Sequence, residues 1–178
     1  LSLQKATATG NYTRFHPLTF KELLIPMSNN TPKPDTATVA ALSELLAASY
    51  TLYLKSHNYH WNVTGPMFTT LHVLFEQQYT ELAIAIDEIA ERIRIKGAHA
   101  PGSFSEFAAL SPIKEETGKP NATTMIENLV ADHGTIVEIA YRVIESAEAR
   151  NDQASIDLAT RRIDTHQKNA WMLRSHLE

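Results

Sequence analysis

The chain of 178 residues holds no cysteine. That excludes a disulfide frame, a thiolate metal site and a cysteine nucleophile, and it accords with a reducing compartment. Positive charge is also short. Sixteen Lys and Arg stand against 20 Asp and Glu, a net charge of −4, so no general basic field exists for nucleic acid. No apolar run approaches the ~18 residues of a membrane span. No signal-peptide pattern is visible, so the expected compartment is the cytoplasm. No alternating strand pattern and no internal repeat appears. None of the eight histidines has Glu three residues before it. The Glu-x-x-His pairs that hold a dinuclear metal centre inside some four-helix bundles are therefore missing, and any metal site is expected between chains.

What is there describes an ordinary globule. An apolar fraction of 43% and a charged fraction of 20% suit one domain able to bury a real core. Residues 1–34 differ from the rest. They read as an extended arm with one apolar patch, Leu18 to Ile25, expected to pack on a neighbouring surface. Lys5, Arg14, Lys21 and Lys33 against Glu22 make the arm mildly positive.

Residues 35–178 read as an all-α four-helix bundle. The first long helix starts at Asp35 or Thr36, either a suitable N-cap after Pro34. Its stripe is Leu42, Leu45, Leu46, Tyr50, Tyr53 and Leu54, and it runs to Trp61 before Gly65-Pro66. The second, from Met67 to Lys96, ends at Gly97. Its stripe is Leu71, Phe75, Leu82, Ile86, Ile89 and Ile93. Residues 97–120 form a crossover long enough to traverse the bundle. Within it Ser103 to Ser111 can form a short helix capped by Ser103 or Ser105. The third long helix runs from Thr123 to Ala149, with Thr124 and Glu127 at capping-box spacing. Its stripe is Ile126, Leu129, Ile136, Ile139, Ala140 and Val143. The fourth, Gln153 to Leu177, carries Ile156, Ala159, Ile163, Ala170, Trp171 and Leu173.

The second helix carries the chemistry. His72 with Glu76, and Asp87 with Glu91, are pairs at i,i+4 spacing, each able to grip a metal. Fifteen residues separate His72 from Asp87, about four turns plus 60°. Both pairs share one face, roughly 130° from the apolar stripe. Along the axis they stand about 22 Å apart, too far to share an ion. Cooperation requires a second copy of the helix running antiparallel, and the small residues Thr80 and Ala83 leave room for it. His60 ends the first helix and comes near His72 across the turn, with Glu76 at the same end. Imidazole with carboxylate suits Fe(II) and Zn(II). For His57 the bland reading is preferred: a polar helix end that favours the dipole. The same dipole argument accounts for Asp152 and Asp157 at the start of the last helix.

The segment HWNVTGPMFTTLHVLFEQQYTELAIAIDEIAERIRIKGAHAPGSFSEF, His60 to Phe107, resembles the signature region of the Dps family of ferritin-like mini-ferritins. IDTHQKNAWMLRS is similar to that family's final helix, and the likeness runs from about Thr36 to Glu178. The resemblance implies a ferritin-like bundle and a hollow dodecamer. It implies ferroxidase sites at two-fold interfaces, oxidising Fe(II) with peroxide or oxygen and storing ferric mineral. By position His60 and His72 match the family's histidine ligands. Asp87 and Glu91 match the acidic ligands from the neighbouring chain, and Glu76 stands where the family usually has Asp. Trp61 matches a tryptophan thought to intercept oxidising equivalents. Asp152 and Asp157 fall where the family lines a cation pore, with Arg161 weakening any acidic funnel. Zinc in the same site, and sequence-independent DNA binding in the nucleoid, are the alternative expectations.

Overall fold

The computed structural model describes residues 35–178. The arm at 1–34, with its apolar patch, lies outside the described residues. The described chain forms five helices and no strand: α1 (Thr36–Asn62), α2 (Phe68–Ile95), α3 (Phe104–Leu110), α4 (Ala122–Glu148) and α5 (Gln153–Arg174).

Each boundary has a local cause. Asp35, not Thr36, caps α1, accepting from the Thr38 amide at 3.3 Å and its hydroxyl at 2.6 Å. The chain then reverses through Gly65 at φ +101°. Helix α2 ends in a Schellman turn. The Ala98 amide donates to the Ile93 carbonyl at 3.3 Å and the Gly97 amide to that of Arg94 at 2.9 Å, with Gly97 at φ +82°. Ser103 and Glu106 form a reciprocal capping box on α3. The box expected at Thr124 and Glu127 does not form. Asn121 caps α4 instead, accepting from the Thr124 amide at 3.0 Å, because the cap falls three residues earlier than the box spacing implies. Helix α5 stops at Arg174, three residues short of the expected Leu177.

Side-chain pairs fix the directions. Glu44 meets Arg142 and Lys55 meets Asp132, so α1 runs antiparallel to α4. Arg92 meets Asp152 and Glu81 meets Arg162, so α2 runs antiparallel to α5. With two tight hairpins, α1–α2 and α4–α5, helices α2 and α4 must then run parallel. Segment 96–121 accordingly traverses the bundle, as its length requires. Tyr59 pins it underneath, donating to Glu116 at 2.8 Å and accepting from Asn128 at 2.9 Å.

The core contains Leu42, Leu45, Leu52, Phe75, Leu82, Ile89, Ile126 and Ile139, all fully buried. Six expected core positions are not fully buried, with Tyr50, Ile86 and Ile156 half-buried. Leu54 is 41% exposed and Trp171 62%, while Tyr53 is only half-buried. On α1 the buried line continues from Leu45 through Ser49, Leu52, Ser56 and Tyr59. Two serines interrupt the hydrophobic pattern there, and Tyr50 and Tyr53 lie one residue further round from Ser49 and Leu52. Helix α1 alone among the described helices is apolar enough by composition to cross a membrane. Its Leu42, Leu45, Leu46 and Leu52 are buried in the bundle core, which marks it as a core helix.

Candidate metal centre

His60 closes α1 and His72 opens α2. The five-residue turn between the helices brings them together although twelve positions separate them. The two imidazoles stack at 3.7 Å between ring centroids, tilted by 20°. The Nδ1 of His60 lies 2.8 Å from the His72 carbonyl, and the Nδ1 of His72 lies 2.8 Å from the His60 carbonyl. A carbonyl only accepts, so each Nδ1 carries the proton and donates. In a neutral ring Nε2 is then the lone pair. Backbone bonds thus set both tautomers for ligation through Nε2, the arrangement that orients metal-binding histidines.

Aromatic rings pack this pair. Phe68 lies 5.1 Å from His72, and Tyr79 stands edge-on to His60 at 5.3 Å. His57 is not merely a polar helix end. Its ring stacks on Tyr79 at 3.9 Å and on Trp61 at 4.3 Å. Two rings so close cannot share one face, so His57 is sandwiched. Burial, then the neighbouring His60, lowers its proton affinity. Burial, followed by the charges of Glu76 and Tyr53, pushes the Tyr79 hydroxyl up.

The carboxylates lie apart from the rings. Glu76, Asp87 and Glu91 are all exposed on α2, and none has a hydrogen bond or ion pair among the described residues. Their neighbours do: Glu88 meets Arg161 at 3.5 Å, and Arg92 donates to Asp152 and, at 2.8 Å, to Ser155. Among the described residues of one protomer no three His, Asp or Glu side chains converge to hold a metal. The two histidines come together. Glu76 does not close a triad with them, and Asp87 and Glu91 lie further along the helix.

The ferritin-like domain family matches residues 39–178. A low temperature-induced protein of Nostoc sp. is 42% identical over 139 residues, 77% of this chain and 78% of that protein. DNA protection during starvation protein 2 of Bacillus anthracis is 36% identical over 139 residues, 78% of this chain and 95% of that protein. The chain belongs to the Dps family. The Dps crystal structure from Vibrio cholerae superposes with a TM-score of 0.78 at 32% identity, covering 82% of this chain and 91% of that one. That protein is described as a member of a broad superfamily of ferritin-like diiron-carboxylate proteins.

In this Dps chain the two aspartates expected at a pore have different surroundings. Asp152 caps α5, receives Arg92 and Lys96, and its side chain is only 8% exposed. Burial pushes its carboxyl up, but the bonds from Lys96 and Ser155 and the Arg92 charge outweigh it and hold it near 2. Asp157 is exposed and bound by Arg161 at 2.5 Å. Sequence reading missed Tyr79, and it missed a buried pair, His133 and His166. A signal for the burial of each existed. His133 sits between Leu129 and Ile136, and His166 between Ile163 and Ala170, at core spacing.

Proposed function

We propose that this Dps-family chain oxidises Fe(II) at sites shared between two copies and stores the ferric product in a hollow dodecamer. His60, His72 and Glu76 come from one copy, Asp87 and Glu91 from the next. The observation that carries the reading is the reciprocal histidine pair. Both Nδ1 atoms are committed to backbone carbonyls, so both Nε2 lone pairs are preset for a borderline metal. The bare acids on the same helix supply the hard oxygen ligands that favour Fe(III). An antiparallel second copy of α2 would bring them across.

Fe(II) is the substrate. Two ferrous ions give one electron each to hydrogen peroxide. With two waters the products are two ferric oxyhydroxide units and four protons. Exposed carboxylates can carry those protons to solvent. Oxygen is the other candidate oxidant. Trp61, 60% exposed and stacked on His57, would intercept oxidising equivalents beside the site. Zinc fits the same donor set and would compete with iron. The compartment proposed is the bacterial cytoplasm.

Mixing the metal-free protein with Fe(II) and peroxide tests the reading. Ferric absorbance should develop well above the buffer control, from a particle that light scattering sizes as a dodecamer. Absorbance equal to the control overturns it. A second reading, DNA compaction, rests on the four basic residues of the arm and on what the Bacillus anthracis relative is named for. Phosphate contacts of this kind weaken steeply with salt. A gel shift at low salt, with and without residues 1–34, decides it.

A further inference from the structure

The seam between α2 and α5 is held by polar groups. At one end Asp152 binds Arg92 and Lys96. In the middle Arg162 forks onto Glu81. Deeper lies the His133–His166 pair, both rings fully buried, with Gln78 and Arg162 beside it at 2% and 5% exposure. Toward the other end a groove of about 410 Å³, lined by Gln78, Glu81, Asp164 and Lys168 among others, follows the same seam.

The hydrogen bonds of the pair permit one arrangement of protons. Arg162 can only donate, and its Nη2 lies 3.3 Å from the His166 Nε2, which must therefore accept. His166 then carries its proton on Nδ1 and donates to the His133 Nδ1 at 2.8 Å. His133 carries its own proton on Nε2, facing the Gln78 Oε1 at 3.5 Å. Two lone pairs remain, the His133 Nδ1 and the His166 Nε2, and each already accepts a bond. A further proton on either converts that bond into two donors face to face, next to a guanidinium.

The surrounding charge offers little relief. From α2 the facing ionisable group is Glu81, already bound to Arg162. From α5 it is Arg162. From α1, Lys55 is engaged with Asp132, one residue round α4 from His133. The buried Gln78 Nε2 and Arg162 Nε have no partner among the described residues and are donors, so neither can accept a displaced N–H.

We propose that the His133–His166 pair, which ties α4 to α5 beside the α2–α5 seam, is an acid-sensitive latch, so that uptake of one proton breaks the pair and parts α5 from the bundle first. Burial, then the Arg162 charge, holds His133 down to about 3. Burial, His133 and Arg162 hold His166 well below its ordinary value. Below the ordinary histidine range near 6.5 the unfolded chain binds protons that the folded pair refuses. Stability from this source is complete above that value and declines as pH falls toward 3.

Hydrogen exchange on the assembled, iron-free protein tests the latch. Between pH 6.5 and 4, after correction for intrinsic rates, amides of Gln153–Arg174 should lose protection before those of Thr36–Asn62. The double variant His133→Leu/His166→Leu should shift that opening at least one pH unit lower. Simultaneous loss in both helices, or an unmoved midpoint in a folded variant, overturns the proposal. Should the variant not fold, histidine C2-hydrogen exchange read by mass spectrometry on the native protein decides. Both rings should stay neutral at pH 5, where a free histidine peptide is charged. A midpoint above 6 for either ring overturns the latch.

Discussion

At the scale of single residues, donor direction decides what a histidine can do. His60 and His72 give their Nδ1 protons to each other's carbonyls and keep Nε2 open. His133 and His166 use their ring nitrogens on each other, Gln78 and Arg162. Replacing His72 with Ala removes one proposed ligand and leaves the His60 carbonyl without its donor. Stopped-flow absorbance should show ferrous oxidation slowed about tenfold or more, with circular dichroism unchanged. Asp152 is the opposite case, a carboxylate committed to structure. Asp152→Ala removes the α5 cap and the partner of Arg92 and Lys96, and should cost about 1–3 kcal/mol. Its carboxyl is held near 2, below its ordinary value, so its stabilising effect is present above about pH 4 and is lost as pH falls through 2. Denaturant unfolding of both proteins should therefore differ at pH 7 and converge toward pH 2. A difference independent of pH would refute the assignment.

At the scale of elements, helix ends follow local chemistry. Gly97 shows this most directly. Its φ of +82° requires the left-handed region, while a Cβ added there meets nothing within 4 Å. Gly97→Ala should thus lose about 1 kcal/mol from backbone strain alone. Gly134 lies inside α4 with equally open surroundings and no positive φ. Gly134→Ala should raise stability by about 0.5–1 kcal/mol. Thermal melts of the two variants should move in opposite directions. These caps were legible because a cap involves residues within four positions of each other. The misplaced box at Thr124 shows the limit, since Asn121 competes for the same amide and only the backbone path selects the winner. The α1 stripe holds at Leu42, Leu45 and Leu46 but departs from Tyr50 onward for a different reason. Ser49 and Ser56 are buried, and their hydroxyls have no partner among the described residues, which polarity alone argues against.

At the scale of the whole molecule, the proposed centre is divided between copies. Co-assembly tests that division without a structure of the complex. His72→Ala and Asp87→Ala should each be nearly inactive. Mixed after dissociation and reassembled, they should recover oxidation, because a mixed two-fold pair holds one site with both defects and one with neither. Activity no higher than the separate variants would place the site within one chain. The contacts that hold α5 to α2 and α4 belong to this scale as well. Arg162 and Glu81 are 81 positions apart, and His133 and His166 are 33 apart. No local pattern foretells such pairings.

The sequence by itself determined four long helices, a crossover with a short helix, and a shared face on α2 bearing His72, Glu76, Asp87 and Glu91. These depend on the 3.6-residue period and on capping, which act over a few positions. It also brought His60 to His72, because a turn of five residues leaves no other place for them. Only the tertiary structure decided which nitrogen of each ring carries the proton, that His57 lies between Tyr79 and Trp61, and that Asp152 pairs with Arg92 and Lys96. It alone joined His133 to His166 in the core. Each of these depends on groups from helices distant in the chain, where burial and donor direction select among arrangements that spacing leaves equivalent.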